Sequence, residues 1–271
     1  MKYLLSAVGI SALAACGGGS SGDESVNYVG LFVTSSTETS SLRSIDLQSG
    51  ETGATAGETF DRENDRITIN GLPGTINADR TSVALDEGGV VTITNSGLNY
   101  VALFQADPVS GDPFVGVIGQ QTAVSDLPTA GTYDYDGTDN VLLQITDGDD
   151  FYDLTGDGFI AVNFDSSSRA SLTVDTLSGS RTTGVNAPEN VSLTGFLSVF
   201  QANRVGNNIS GGSAFVSLSD LENGSLSGQQ VVDLNASLFG PNAEEIGGVF
   251  LIDYSVANNL LIEGSFVAEV E

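Results

Sequence analysis

The chain has 271 residues, with 35 acidic side chains against eight basic ones, no histidine, one cysteine and a formal net charge of −27. That balance excludes nucleic acid as a partner, since phosphate recognition needs a basic patch. The missing histidine excludes Ser-His-Asp and Cys-His catalysis and any histidine-ligated zinc or haem.

The chain opens with Lys2, an apolar run from Tyr3 to Ala12, and then Leu13-Ala14-Ala15-Cys16, small residues just before the lone cysteine. A charged start, a short apolar stretch and a small-residue cleavage site make a secretory signal. It is shorter than the roughly 20 apolar residues of a spanning helix. A cysteine at the cleavage point makes the segment a bacterial lipobox. The expected cut lies between Ala15 and Cys16, with the lipid on Cys16. Residues 1–15 are thus expected as signal peptide and 16–26 as lipidated cysteine plus a flexible Gly/Ser tether. Gly17 stands where an aspartate holds lipoproteins at the inner membrane in enterobacteria. The expected location is therefore the outer membrane of a Gram-negative cell, on its surface or its periplasmic side. The body is too acidic to adhere to anionic lipid, so the anchor is the expected means of attachment.

From 27 to 128 short β-rich runs alternate with turn signals. Arg66–Asn70, Thr81–Leu85 and Val90–Thr94 alternate apolar with polar residues; Tyr100–Phe104 and Phe114–Ile118 are more uniformly apolar. Clusters such as Asn70-Gly71-Leu72-Pro73-Gly74 read as turns, and the weakly patterned stretch from Ser35 to Glu58 reads as loop. From 129 to 271 the period of two sharpens. Tyr133 and Tyr135, then Ile160, Val162 and Phe164, then Leu172 and Val174 alternate with polar residues. Further runs follow at Val191–Phe200, Ile209–Leu218, Val232–Phe239, Gly248–Tyr254 and Leu260–Val270. Together these predict an all-β protein, with a small antiparallel sheet followed by an eight-stranded up-and-down β-barrel. A barrel spanning the outer membrane is disfavoured. There is no tryptophan for an aromatic girdle, and strands such as Val232–Ser237 cannot offer lipid an apolar face.

Two segments carry a resemblance. The run from Phe114 to Gly137 is similar to the junction where the handle section meets the barrel in transferrin-binding-protein-B-like surface lipoproteins. The run from Leu238 to Phe250 resembles that family's most recognisable barrel motif. With the lipobox and the section order, the resemblance spans nearly the whole mature chain. It implies a handle domain over 27–128 and a transferrin-binding-protein-like barrel over 129–271, on a lipid anchor such as palmitate. It also implies a binding role, since members capture host iron proteins, haem-carrying proteins or complement regulators. The chain differs from two-lobed members in having a single lobe.

Within the motif, Gly240, Pro241, Asn242, Ala243, Glu244, Glu245, Gly247 and Gly248 read as structural. Gly240-Pro241 suits a turn, and Gly247-Gly248 suits a closely packed strand. Glu244 and Glu245 are not read as a catalytic pair, because neighbours on a strand face opposite ways. Asp153, Thr155 and Asp157, followed by Gly158, resemble the first half of a calcium loop, but Phe164 occupies the position that needs a bidentate carboxylate. A solvated acidic turn is the competing reading. Tyr133 and Tyr135, conceivable haem ligands, read as packing; Arg62 and Arg66 sit among acids as a surface charge cluster. The expectation is a lipid-anchored surface protein that captures a protein or solute partner, with iron and haem among the candidate cargoes. It has no catalytic residues and no cofactor, and its oligomeric state is open. The alternative is an acidic coat lipoprotein of the envelope.

Overall fold

The computed structural model describes residues 27–35, 40–48, 59–61, 66–69, 72–77, 81–94, 97–109, 114–165, 168–184, 186–221, 224–253 and 260–271. Cys16, Ala15 and the tether lie outside these residues. Among the described residues no helix is long and apolar enough to cross a membrane. The protein is all-β, built as two antiparallel sheets.

The first sheet holds β1 (Asn27–Ser35), β2 (Ser40–Gln48), β3 (Thr59–Asp61), β4 (Arg66–Ile69), β5 (Leu72–Ile76), β6 (Ser82–Leu85), β7 (Gly89–Thr94), β8 (Val101–Pro108) and β9 (Phe114–Gln120). Its order is β2-β1-β9-β8-β7-β6-β5-β4-β3, so the hairpin β1–β2 docks on the last strand of a meander. Two expectations are corrected here. The stretch read as loop contains β2, which pairs residue for residue with β1 from Asn27–Gln48 to Ser35–Ser40. Leu42 is out of phase with Ile45 and Leu47, so its own alternation is broken and the partner strand supplies the order. The Leu72-Pro73-Gly74 segment, read as a turn, belongs to β5. A Cβ on Gly74 would lie 2.6 Å from Val83 Cγ1 and 2.8 Å from the Ala84 carbonyl oxygen, so close strand packing explains that glycine. Phe104 and Phe114 meet edge-on at 6.1 Å inside this sheet's own core.

The second sheet holds β10 (Thr132–Asp147), β11 (Asp150–Asn163), β12 (Arg169–Thr183), β13 (Glu189–Ser192), β14 (Thr194–Val205), β15 (Asn208–Ser210), β16 (Ser213–Leu221), β17 (Gly224–Val231), β18 (Asp233–Phe239), β19 (Glu245–Asp253) and β20 (Leu260–Val270). These eleven strands form eight staves, because three staves are interrupted. Leu193 separates β13 from β14, Gly211-Gly212 separates β15 from β16, and Val232 separates β17 from β18. At the glycine break φ is +67° and +118°. There the stave changes partner, with β15 pairing β18 while β16 pairs β17. The ring closes through β10–β20 and β12–β14.

Alternation sends one set of side chains inward. Tyr135, Leu143, Tyr152, Leu172, Leu197, Val216, Phe250, Ile262 and Phe266 belong to one buried cluster. Eight staves leave room for side chains and little else, and here the interior is a packed core. Gly264 fits this packing, since its missing Cβ would lie 2.3 Å from the Phe250 ring.

Candidate functional site

The motif from Gly240 to Gly248 sits where the two sheets meet. Strand β19 is buried on both faces as far as Ile252. Its inward side chains, Ile246, Phe250 and Ile252, enter the barrel core. Val249 and Leu251 point outward, and with Val267 and Phe239 they pack against Leu31, Val33, Val101, Leu103, Val115 and Val117 of the handle. A wall with both faces apolar explains the near-continuous hydrophobic run of the sequence there.

Glu245 interrupts this apolar layer, as Glu263 and Ser265 of β20 also do. It is buried, and its carboxylate reaches the handle: Oε1 accepts the Asn99 N–H at 2.7 Å, while Oε2 accepts those of Tyr100 at 2.8 Å and Val101 at 2.9 Å. These are donors that strand pairing leaves over at the start of β8, and a carboxylate is well suited to take several at once. Burial pushes the Glu245 carboxyl above its ordinary value, against the three N–H donors that favour the charged form; the Glu269 charge adds to the rise. Glu244 is exposed where Glu245 is buried. The sequence reading assigned Glu245 to the motif but not to a contact 144 residues away.

The turn before β19 locks from the other side. Gly240 has φ +74°, and a Cβ there would lie 2.4 Å from Tyr100 Cδ2. Its N–H donates to the Gln120 carbonyl at 3.0 Å, and its own carbonyl accepts Thr122 Oγ1 at 2.7 Å. Asn207 Nδ2 donates to the Thr122 carbonyl at 2.9 Å, bringing the β14–β15 turn into the same network. Pro241–Ala243 form a single 3₁₀ turn, with Asn242 at φ +56°. The Ala243 carbonyl accepts the Tyr135 hydroxyl at 2.9 Å. Burial raises the Tyr135 phenol well above its ordinary value. Tyr133 packs edge-on against Phe164 at 5.1 Å. Both tyrosines therefore belong to packing, on the one strand face the sequence assigned them.

The calcium-loop reading of Asp153, Thr155 and Asp157 is corrected by their placement. All three lie on extended β11, at alternate positions of its outward face, and not in a loop. Alternate residues on a strand stand about 6.8 Å apart, too far for them to wrap one ion as a loop does. Among the described residues no group of three or more acidic or cysteine side chains is placed to hold a metal. Asp153 instead meets Gln105 of β8: burial raises its carboxyl, and the Gln105 hydrogen bond offsets part of that rise. Arg66 forms an ion pair with Asp86 and donates to Thr75 Oγ1 at 2.8 Å. This partner lies across the sheet, on the turn after β6.

The chain is thus one lobe, a handle sheet docked on the outer wall of a filled eight-stave barrel. Residues 127–270 match the family described as the C-lobe and N-lobe beta barrels of Tf-binding protein B, and the chain belongs to that family. It is similar in fold to a mutant of transferrin-binding protein B from Haemophilus parasuis Hp5, at 19% identity and a TM-score of 0.59, covering 91% of this chain and 45% of that one. It is also similar to the isotype 1 transferrin-binding protein B from serogroup B Neisseria meningitidis, at 17% identity and a TM-score of 0.59, covering 90% and 43%. The chain thus spans less than half the length of these relatives, about one lobe. A comparison with curated proteins gave no match.

Proposed function

We propose that the protein is a surface lipoprotein of the outer membrane that captures a protein partner through the outside of its lobe, without catalysis. The filled barrel carries this reading. Tyr135, Tyr152, Phe250 and Phe266, each at most 1% exposed, occupy the space a lipocalin-like barrel keeps for a small solute. Recognition then falls to the outer walls and the connections between strands, which suits a macromolecule better than a solute. Kinship with transferrin-binding protein B makes an iron-carrying host protein the first candidate partner. The lipobox supports residues 1–15 as a removed signal, Cys16 as the acylated terminus and 16–26 as a tether. A handle unit over 27–128 and a barrel unit over 129–271 would then stand off the membrane together. The test is retention of purified mature protein on immobilised host transferrin in iron-loaded and iron-free forms. Saturable retention of either supports capture. Retention of neither form above an albumin control overturns the transferrin assignment and favours an acidic coat.

A further inference from the structure

Among the described residues no other element covers the wall of the barrel opposite the handle. Strands β19 and β20 carry the handle, and β12 and β14 stand halfway around the ring from them. Across this far wall one register row runs Asp136, Phe159, Thr173, Ser198, Phe215, Gln229. Phe159 is 44% exposed, Phe196 40% and Phe215 37%. Phe196 stacks on Phe215 with ring centroids 6.0 Å apart. Between the aromatics Thr173 and Ser198 are short, with their hydroxyls 3.5 Å apart. The row is therefore a shallow trough whose aromatic edges stand three strand spacings, ~14 Å, apart. Exposed aromatics gathered on a solvent-facing wall mark an interaction surface, whereas single exposed apolar residues do not.

The charges beside the trough select the occupant. Asp157 on β11 is paired directly with Asp175 on β12, although directly opposed like charges destabilise a sheet. A bulge in β10 between Gly137 and Val141 brings Asp139 alongside, where its N–H donates to Asp157 Oδ1 at 2.7 Å. Asp136, held below its ordinary value by Thr138, opens the Phe159 row. Among the described residues neither Asp157 nor Asp175 forms an ion pair. This acidic margin repels a second copy of a chain of net charge −27 and an anionic lipid surface alike. It attracts a cation, and carboxylates beside aromatic faces hold a guanidinium or ammonium by charge-assisted hydrogen bonds and cation–π contact.

We propose that this wall docks a basic segment of a protein partner, with an arginine or lysine set against Asp157 and Asp175 and apolar neighbours resting on Phe159, Phe196 and Phe215. The proposal rests on the protein-capture reading above and assigns a surface to it.

The test uses the mature lipoprotein in non-ionic detergent and a fluorescent heptapeptide carrying a central arginine between leucines, measured by anisotropy. Saturable binding is expected, weakened by added salt. It should fall roughly tenfold when glutamate replaces the peptide's arginine, and by a similar factor in D157N/D175N or in F196S/F215S, as loss of a charge-assisted contact implies. All four positions face water, and circular dichroism verifies the fold. Should the serine variant not fold, the asparagine pair decides alone, since it removes a repulsion. Equal binding by wild type and D157N/D175N overturns the proposal. So does a salt-stabilised dimer that F196S/F215S abolishes, which would make a second copy the occupant. Transferrin retained equally by wild type and D157N/D175N, with the peptide unbound, overturns this surface and leaves the capture reading standing. Peptide bound but no transferrin retained does the reverse.

Discussion

The Glu245 carboxylate accepts the Val101 N–H at 2.9 Å, joining the first residue of β19 to the first residue of β8. One side chain thus fixes where the handle begins relative to the barrel wall it rests on. A family motif that looks chemical in sequence, with paired glutamates flanked by glycines, is here a joint.

Removing the carboxylate should therefore weaken the joint more than the barrel. Glu245→Ala strands three backbone donors and should cost about 2–4 kcal/mol, since a buried unsatisfied group costs roughly 1–3 kcal/mol. Urea unfolding checks the size. Limited proteolysis should show the handle released first.

The same residue gives a pH dependence. Burial raises its folded value above the ordinary 4.5. The folded state therefore binds the proton more tightly, and that contribution is complete below the unfolded value and lost as pH rises through the folded one. Glu245→Gln cannot titrate. The stability difference between wild type and Glu245→Gln should shift against wild type as pH rises above about 4.5, which parallel urea melts across pH would show. A difference independent of pH would mean that Glu245 binds its proton equally well folded and unfolded, so that burial in the joint does not raise it.

Gly240→Ala tests the other side of the joint. The new methyl meets the Tyr100 ring at 2.4 Å and stands at φ +74°. Overpacking and a left-handed backbone each cost about 1–3 kcal/mol. Adding Tyr100→Ala should recover the steric part and leave the backbone part, so the double variant should melt between Gly240→Ala and wild type.

Tyr135→Phe leaves the Ala243 carbonyl without its 2.9 Å donor and should cost about 1–3 kcal/mol. In wild type the buried phenol resists ionisation. Its stabilising contribution is complete below the ordinary tyrosine value of 10.0 and is lost as pH climbs from there through the raised one. In alkaline ultraviolet titration, the tyrosinate absorbance that develops only above pH 10 should be smaller in Tyr135→Phe than in wild type.

The barrel was legible because period two holds over long stretches of its staves, although bulges shift it in β10 and β12 and β19 is apolar on both faces. Ile160, Val162 and Leu172, Val174 point inward where alternation places them. The interruptions at Leu193, Gly211-Gly212 and Val232 do not change the phase enough to hide a stave. Strand β2 was missed because its apolar residues lose phase, and β5 because Pro73-Gly74 imitates a turn. The joint was illegible for a different reason. Glu245 binds backbone donors, which carry no residue signature, and they lie 144–146 residues away. Asp153 misled as a calcium ligand because acidic residues at alternate positions look alike in a loop and on a strand. The far wall was half visible: alternation sends Phe159, Phe196 and Phe215 outward, but only cross-strand register shows that they share a surface.

Amide hydrogen exchange at Tyr100 and Val101 tests the joint most directly, in wild type and Glu245→Ala. Slow exchange in wild type and a loss of protection in the variant confined to these amides and the strands around them, with β11 and β12 unchanged, is the predicted result. Equal exchange in both proteins would show that Glu245 does not hold the handle to the barrel.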